Sequence, residues 1–547
     1  MLDIPVLIAG GGPVGLTASL LLSKHGVRSL LVERHPGTAV LPKARGINAR
    51  TMEMYRQCGI DAAIRAAGLS EERRGRLIVW IETLAGREIE RRVPGRATPK
   101  NMAVTPTANC LCPQDDLEPV IRRFAEAAGP GALRFNTEMS SFSQKNGAVT
   151  GTLTDRVTGE ERPFSARYLI AAEGAQSRVR RALGVRMIGE EKVYDSVNIL
   201  FGADLRQWTE HRPAALYFVE QPELRGTFLT INGTDRWGFL IHSPSQYGYR
   251  PEDFTPERCT ALIRQAVGIP ELAVSVLGIS PWEASAIVAD RFRDGAVFLA
   301  GDAAHEMPPT GGFGLNTGVQ DVHNLAWKIA AVLRGQANEA LLDSYHAERQ
   351  PLAETITRAA LANAMSMGRT RRQSGAVMPR REFLNEQGLI FGLCYESMAV
   401  IPDGTPPVEV TDPVTEYVPS ARPGSRAPHV WLQRGGEQFS TIDVFGPHFV
   451  LLAGRDGDAW RQAVHLIESS WPPLIGFTIG KEEDLIDPEG DWHEAYGVET
   501  DGAVLVRPDG YVAWRCRSGT SEPGEVLRAV FDGLLGRDHP ATDFSVK

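Results

Sequence analysis

The sequence predicts an α/β protein with an open parallel sheet, a β-rich insertion and a second α/β domain at its carboxyl end. Three observations carry this prediction. An apolar segment at 4–9 leads into a Gly-rich turn, an apolar segment at 296–300 ends in Gly-Asp, and aromatic-rich strand patterns lie between them. With 547 residues, 43% of them hydrophobic, the chain can bury the cores of two or three domains.

The amino-terminal segment predicts a buried strand, a tight turn and an apolar helix. Residues 10–15 have the spacing G-x-G-x-x-G of a dinucleotide-binding turn. In such a turn Gly10 allows the sharp bend, Gly12 lets the backbone approach a pyrophosphate, and Gly15 lets the helix pack closely on the strand. The strand before the turn and the helix after it are the context that this motif requires.

A second strand pattern, at 29–32, ends at Glu33. A carboxylate at this position suits the 2′-hydroxyl of an adenosine ribose and would repel a 2′-phosphate. The dinucleotide predicted here is therefore FAD or NAD, and NADP is excluded from this turn.

The segment 301–318 is the most informative in the chain. It follows the predicted strand at 296–300 and begins with Gly-Asp, so that Asp302 stands at the carboxyl end of a strand, where ligands of open α/β sheets collect. Apolar residues then recur at three- and four-residue steps over 315–333, which predicts an amphipathic helix with a Gly-rich start. Its amino end would offer unpaired N–H groups and a positive dipole end to an anion.

Taken together, these segments resemble the single-component, FAD-dependent aromatic hydroxylases, also called group A flavoprotein monooxygenases. The resemblance covers nearly the whole chain and is most specific at 10–15, at Pro-Lys-Ala-Arg-Gly-Ile-Asn of 42–48, and at 301–318. Within the family, the chain is similar to members with a thioredoxin-like tail, which include polyketide-tailoring and phenol hydroxylases. The resemblance implies FAD as cofactor, and NADPH or NADH as a transient co-substrate.

The resemblance also implies which residues bind FAD. Asp302 would contact the ribityl chain, Arg45 the phosphates and flavin edge, and Gln114 the ribityl region, while the 311–316 loop would follow the pyrimidine edge. The expected FAD-binding residues are Gly10, Gly12, Pro13, Gly15, Glu33, Arg34, Arg45, Gln114, Gly301, Asp302, Pro309, Gly311, Gly312, Gly314, Leu315 and Asn316.

Three of these residues also have simpler interpretations. Asp302 would serve a fold equally well as a helix N-cap. Arg45 lies in an apparent loop, where basic side chains are usually solvated. Gln114 precedes an apolar helix and would serve as a polar cap.

One position departs from the family pattern. Members usually carry Asp-Gly at the strand end near position 173, whereas this chain has Glu173-Gly174. In the family that motif contacts the cofactor and the pyridine nucleotide, so the longer side chain leaves the role of Glu173 open.

The middle of the chain predicts a sheet, with strands at 77–81, 215–219, 227–231 and 237–241. In the family such a sheet covers the isoalloxazine and lines the substrate pocket. We therefore expect substrate contacts from Tyr217, Phe228 and Trp237, with ordinary sheet packing as the alternative. His305 and His323 are interpreted as packing or capping residues, and no catalytic base is assigned.

The carboxyl-terminal region begins after a Pro-rich linker at 401–407 and resembles the thioredoxin-like tail, without a C-x-x-C motif. The expected domains are an FAD-binding Rossmann-like domain of 1–75, 100–185 and 280–400, an interleaved β-rich substrate domain of 76–99 and 186–279, and the tail of 401–547.

Composition excludes other classes of protein. The formal net charge is −9 and no long basic tract is present, which argues against nucleic acid or an anionic membrane as partner. No apolar run reaches the roughly 20 residues of a spanning helix, and the start of the chain lacks a signal-peptide pattern, so we expect a cytoplasmic protein. The six scattered cysteines suggest neither disulfides nor a metal site. Both monomer and homodimer remain open.

The resemblance implies hydroxylation of a polycyclic polyketide or phenolic substrate with O₂, through a flavin C4a-hydroperoxide. A Baeyer–Villiger or other oxidative-rearrangement flavoenzyme acting on a polyketide, a flavin oxidase and a catabolic phenol hydroxylase remain alternatives, because the pocket decides among them. The intact flavin motifs argue against a flavin-binding module without activity.

Overall fold

The structure is a computed structural model and describes residues 1–75, 77–93, 104–129, 131–367, 378, 380, 385–465, 471–480 and 484–537. The strands are β1 (Leu2–Ala9), β2 (Ser29–Val32), β3 (Gly46–Ile47), β4 (Leu77–Ile81), β5 (Glu88–Arg92), β6 (Cys110–Leu111), β7 (Ala132–Arg134), β8 (Thr137–Lys145), β9 (Ala148–Asp155), β10 (Glu161–Ala171), β11 (Met187–Gly202), β12 (Ala214–Glu220), β13 (Arg225–Thr230), β14 (Arg236–His242), β15 (Ser275–Ala289), β16 (Arg293–Asp294), β17 (Val297–Leu299), β18 (His305–Glu306), β19 (Trp431–Arg434), β20 (Glu437–Ser440), β21 (Phe449–Ala453), β22 (Leu474–Thr478), β23 (Ala503–Val506) and β24 (Val512–Cys516).

The α-helices are α1 (Pro13–Lys24), α2 (Ala49–Gln57), α3 (Asp61–Ala67), α4 (Glu71–Arg74), α5 (Gln114–Ala127), α6 (Arg178–Ala182), α7 (Arg206–Thr209), α8 (Pro256–Val267), α9 (Gly314–Leu333), α10 (Asp343–Ser366), α11 (Gln387–Phe391), α12 (Asp458–His465), α13 (Trp492–Tyr496) and α14 (Pro523–Leu535). Short 3₁₀ turns lie at Pro244–Tyr247, Pro251–Asp253, Gly301–Ala303, Glu339–Leu342 and Thr441–Val444.

The first sheet has the order β16-β17-β10-β1-β2-β7, and its β17, β10, β1, β2 and β7 run parallel. The pairing aligns the strand ends, because Ala171 is the partner of both Ala9 and Leu299. The loops that follow β1, β10 and β17 therefore emerge side by side at one edge. This is the edge at which an open α/β sheet binds its ligands.

Helices α1 and α9 pack closely on each other and on the turns that follow β1 and β17, through glycine contacts. A Cβ on Gly15 would lie 1.9 Å from the carbonyl oxygen of Gly10, and a Cβ on Gly318 would lie 2.6 Å from Val14 Cγ2. The absence of side chains at these positions lets both helices approach the ligand-binding edge of the sheet.

The second sheet has the order β18-β15-β11-β14-β13-β12-β4-β5. One of its faces is a closed core under α8, where Cys259, Ile263 and Ala266 of that helix are fully buried against sheet residues. The opposite face is covered in part by α10, whose Ala364 packs beside Tyr194. The expected boundary at 279/280 lies within β15, which continues to 289 in this sheet. The boundaries at 75/76 and 99/100 involve residues outside the described ranges.

The carboxyl-terminal sheet has the order β22-β21-β23-β24. Strands β21 and β22 are parallel and joined through α12, whereas β23 and β24 are antiparallel neighbours followed by α14. This is the thioredoxin-like arrangement, so the expected fold class is confirmed in all three parts of the chain.

Among the helices described, none combines the length and the apolar character that crossing a bilayer requires. Over the same residues, no group of three or more candidate side chains could hold a metal ion.

Candidate active site

The Gly-rich turn after β1 combines a closely packed position with an open one. Gly10 has a φ of +111°, and a Cβ there would lie 2.3 Å from the carbonyl oxygen of Ala172, so this position requires glycine. Gly12 has a φ of −75°, and its hypothetical Cβ meets no protein atom within 4 Å. The space above Gly12 therefore fits the approach of a pyrophosphate to the backbone.

The carboxylate of Glu33 is fixed beside this turn. Its Oε2 accepts a hydrogen bond from the N–H of Gly11 at 2.6 Å, and its Oε1 accepts one from the N–H of His35 at 2.9 Å. Arg34, between the two, is exposed. A carboxylate held at this end of β2 fits the hydroxyl groups of an adenosine ribose.

Asp302 lies in the 3₁₀ turn that follows β17. Its side chain is open to solvent, while Gly301 and Ala303 on either side are buried. Desolvation by the surrounding protein raises the pKa of Asp302, whereas electrostatic interaction with His305 and Lys43 lowers it. Asp302 is not an N-cap, because α9 begins after Phe313 and its first turn has no side-chain cap.

Asn316 joins the start of α9 to the segment around β3. Its Oδ1 accepts the N–H of Asn48 at 2.9 Å, and its Nδ2 donates to the carbonyl oxygens of Gly46 and Gly312 at 2.9 and 2.6 Å. Gly311 supplies a φ of +114° in the preceding loop. With no acidic side chain in the first turn, the amino end of α9 is available to an anionic group.

Arg45 and Gln114 hold the segment before β3. Arg45 donates to the carbonyl oxygens of Thr230 and Ala215, each at 2.8 Å, and so links this segment to the second sheet. Gln114 Oε1 accepts the N–H of Ala44 at 3.3 Å. The interpretation of Arg45 as a solvated loop residue is therefore wrong, and Gln114 anchors a loop instead of capping α5.

Glu173 caps a helix. Its Oε2 accepts hydrogen bonds from Ser177 Oγ at 2.7 Å and from the N–H of Val179 at 3.0 Å, at the start of α6. Arg180 of that helix donates to the carbonyl oxygen of Ala303 at 3.1 Å. The extra methylene of Glu173 is thus accommodated in a segment tied to the Asp302 turn.

A buried polar group behind Asp302 was missed by sequence reasoning. Asp321 Oδ2 accepts the N–H of Gly301 at 3.1 Å and pairs with His305 Nε2 at 2.7 Å, and its Oδ1 accepts Arg349 Nε at 2.9 Å. The pKa of Asp321 is lowered because these positive and hydrogen-bonding partners outweigh the effect of burial. The available signal was a carboxylate on the apolar stripe of the 315–333 helix.

Within the part of the chain that the structure describes, His323 lacks a comparable group of hydrogen-bond partners. Burial lowers its pKa to about 3, so the ring is neutral at ordinary pH. This agrees with its interpretation as a packing residue.

The three aromatic residues expected to line the substrate pocket lie elsewhere. Tyr217, Phe228 and Trp237 are at most 1% exposed and belong to the closed core under α8. The hydroxyl of Tyr217 donates to the carbonyl oxygen of Arg212 at 2.8 Å. Side chains alternate along each strand, and these three point away from α10 into the core, which agrees with the alternative of ordinary sheet packing.

The other face carries a cavity of about 270 Å³. Trp80 and Phe218 stack at its wall with ring centroids 5.1 Å apart. Its further lining includes Arg92, His242, Ser366 and Met367. The cavity thus combines aromatic surface with a largely polar and charged lining.

Helix α10 connects this cavity to the flavin loop. Thr310 Oγ1 donates to the carbonyl oxygen of Ala360 at 2.6 Å, whereas Ser366 at the end of the same helix lines the cavity. At 1.5 Å per residue, the six steps between Ala360 and Ser366 correspond to about 9 Å. One helix therefore contacts both the cavity and the residue just before the 311–316 loop.

Comparison with known proteins agrees with this geometry. Residues 3–360 match the family described as "FAD binding domain", and residues 420–537 match the family described as "Aromatic-ring hydroxylase, C-terminal". Together the two matches span most of the chain, including both the flavin motifs and the thioredoxin-like tail.

Individual relatives match over nearly their full lengths. The chain is 39% identical to a tetracenomycin A2 monooxygenase-dioxygenase of Streptomyces glaucescens, over 98% of this chain and 97% of the relative. It is 38% identical to an aklavinone 12-hydroxylase of Streptomyces purpurascens, over 98% and 99%. A solved aklavinone-11 hydroxylase, in ternary complex with FAD and aklavinone, superposes with a TM-score of 0.87 at 36% identity, over 98% of this chain and 100% of that chain.

Proposed function

The chain belongs to the FAD-dependent aromatic-ring hydroxylases, and from this premise we propose that it hydroxylates a polycyclic aromatic substrate of the polyketide type with O₂ and NADPH or NADH. The relatives whose names mention tetracenomycin and aklavinone support this substrate class. A phenol hydroxylase acting on a single ring is the alternative within the family.

The observation that carries the proposal is the position of the cavity. Trp80 and Phe218, which stack on each other, give this cavity aromatic surface for contact with an aromatic substrate. Helix α10 contacts both this cavity and Thr310, next to the 311–316 loop, so the cavity lies beside the candidate flavin site. This placement, together with the relatives named for tetracenomycin and aklavinone, supports a polycyclic substrate.

In this proposal, FAD lies along the edge where the loops after β1, β10 and β17 emerge. Gly12 admits the pyrophosphate, Glu33 accepts the ribose hydroxyls, Asp302 accepts the ribityl hydroxyls, and Arg45 and Gln114 hold the loop against the flavin. The remaining proposed contacts are Gly10, Pro13, Gly15, Arg34, Gly301, Pro309, Gly311, Gly312, Gly314, Leu315 and Asn316.

Bound FAD supplies hydride acceptance from the nicotinamide and activation of O₂. The chain's part is to bind, orient and exclude water. The amino end of α9 presents N–H groups and a positive dipole end towards the pyrimidine edge, which stabilises negative charge there by about 0.3–2 kcal/mol. The second sheet and α10 enclose the substrate and keep water from the reacting carbon.

The test follows NADPH and NADH oxidation and O₂ uptake by the holoenzyme, with polycyclic phenols and with single-ring phenols as separate panels. The proposal expects a polycyclic compound to accelerate consumption and to gain one oxygen atom as a hydroxyl. Acceleration by single-ring phenols alone would make the protein a catabolic-type hydroxylase. Conversion of a ketone to an ester or lactone would make it a Baeyer–Villiger enzyme.

A further inference from the structure

A continuous series of buried contacts joins the candidate flavin site to the C-terminal unit, which we define as residues 420–537. The series runs from Gly301 through Asp321, Arg349 and Tyr395 to Tyr511 of the C-terminal unit. Each of the last four side chains is at most 5% exposed. None of these contacts is needed to explain how the ligand itself is held.

Arg349, on α10, is the centre of this series. Its Nε donates to Asp321 Oδ1 at 2.9 Å, and its Nη2 donates to the carbonyl oxygen of Thr317 at 3.2 Å. Asp321 in turn accepts the N–H of Gly301. One guanidinium therefore braces both halves of the flavin site, namely the turn that presents Asp302 and the first turn of α9.

The remaining nitrogen of the guanidinium, Nη1, contacts Tyr395, which in turn packs on the C-terminal unit. Arg349 Nη1 donates to the hydroxyl of Tyr395 at 3.2 Å, and the Tyr395 ring stacks on Tyr511 with centroids 3.9 Å apart. Arg507 of the C-terminal unit lies over the same Tyr395 ring, with its guanidinium carbon 5.2 Å from the centroid.

Glu348, the residue before Arg349, contacts the C-terminal unit directly. Glu348 accepts Arg507 Nη1 on Oε1 at 2.6 Å and Nη2 on Oε2 at 2.9 Å, and it also accepts Lys328 Nζ at 2.7 Å. These charges are fully buried, so each depends on its partners staying in place. The C-terminal unit thus contacts α10 directly at Glu348 and indirectly, through Tyr395, at Arg349.

We propose that Arg349 is a positioning residue for the flavin, and that contact of Tyr395 with Tyr511 makes the FAD affinity of the site depend on how the C-terminal unit is seated. A shift of Tyr511 releases the Tyr395 hydroxyl, and Arg349 then loses the geometry that holds Gly301 and Thr317. The inference rests on the flavin-site assignment above, and it gives the tail without C-x-x-C a role in the cofactor site.

The experiment titrates apoprotein with FAD and records the dissociation constant, the visible spectrum of the bound flavin and the thermal unfolding of the apoprotein. Tyr395→Phe removes only the hydroxyl bonded to Arg349, and Tyr511→Leu removes the stacking partner. We expect the first to weaken FAD binding about threefold to tenfold, less than the full contribution of a hydrogen bond to a charged group, because part of that loss destabilises the apoprotein instead, and the second to weaken it further. Both should shift the flavin spectrum.

The matched control is Tyr496→Phe. The hydroxyl of Tyr496 is equally buried in the C-terminal unit and donates to the carbonyl oxygen of Pro428 at 2.8 Å, away from the series. It should destabilise the apoprotein comparably and leave FAD affinity and spectrum unchanged. Wild-type FAD binding by both Tyr395→Phe and Tyr511→Leu, or equal weakening by Tyr496→Phe, would overturn the proposal. No aromatic substrate is present, so the result is independent of the proposed hydroxylation.

Discussion

Asn316 accepts the backbone N–H of Asn48 at 2.9 Å, and this bond, with the one that its amide donates to Gly46, holds the segment after Arg45 against the first turn of α9. The two sides of the candidate flavin site come from parts of the chain that are 268 residues apart. Asn316→Ala removes this bond and the two bonds that its amide donates. We expect FAD affinity to fall at least about tenfold, because each hydrogen bond contributes about 0.5–1.5 kcal/mol. A titration of apoprotein with FAD measures this, and undiminished affinity would contradict the assignment.

Alanine substitutions at Gly12 and Gly15 test FAD binding and folding separately. Gly12→Ala adds a methyl group that meets no protein atom within 4 Å, so the protein should fold normally and lose FAD. Gly15→Ala places its methyl group 1.9 Å from a backbone oxygen and should lower the unfolding temperature. Flavin content of the purified variants and unfolding of their apoproteins are the two measurements. Full FAD occupancy in Gly12→Ala would show that the pyrophosphate lies elsewhere.

Asp302→Ala tests the ribityl contact. Because the Asp302 side chain is open to solvent and caps no helix, its removal should spare the fold. We expect lower FAD occupancy in purified protein and an unfolding temperature of the apoprotein close to that of the wild type. Unchanged occupancy would remove Asp302 from the site.

Phe218 and Phe228 offer a matched pair for the substrate cavity. Phe218 lines the cavity, whereas Phe228 is fully buried in the core under α8. Phe218→Leu should raise KM for the aromatic substrate and leave FAD bound. Phe228→Leu should cost about 1–2 kcal/mol of stability and leave KM unchanged. The reverse pattern would return the pocket to the Tyr217 face of the sheet.

Glu306, which follows the Asp302 turn, should make the stability of the folded protein depend on pH. Burial and the nearby charge of Asp302 raise the pKa of Glu306 to about 7. The folded protein therefore holds a proton that the unfolded chain releases near pH 4.5, so this group's stabilisation is present below that pH and is lost as the pH rises to about 7.

Glu306→Gln removes this titration. The apoprotein unfolding temperature of the wild type should fall relative to that of the variant between pH 5 and about pH 8, because only the wild type must ionise the half-buried group. Parallel curves for the two proteins would show that Glu306 does not titrate in this range.

Local pattern predicted the elements around the flavin site with close bounds. The strand at 29–32 has the predicted limits, and the helix predicted over 315–333 begins one residue earlier. These elements are fixed by apolar periodicity and by glycines whose close contacts lie within the same motif. A short window of sequence contains both the apolar periodicity and these glycines, so it is enough to predict the elements.

The face of the second sheet could not be predicted in this way. Alternation along β12 shows that Tyr217 and Phe218 point to opposite sides, but both are aromatic, and the choice depends on what covers each side. The covering helix α8 lies more than 30 residues further along the chain. The pair of Asp321 and Arg349 could not be predicted either, because their contact joins two helices through the core and depends on how those helices pack.

The second sheet takes strands β4 and β5 from one part of the chain, β11 to β15 from another, and the two-residue β18 from the segment after Asp302. Flavin-site segments lie before, between and after the first two parts. A chimaera that borrows the substrate preference of a relative must therefore exchange two separate segments together. Exchange of only one would pair β12 of one parent with β4 of the other along the wall formed by Trp80 and Phe218. Natural recombination at a single crossover faces the same constraint, so substrate range in this architecture should diversify mainly by point substitution on the cavity face.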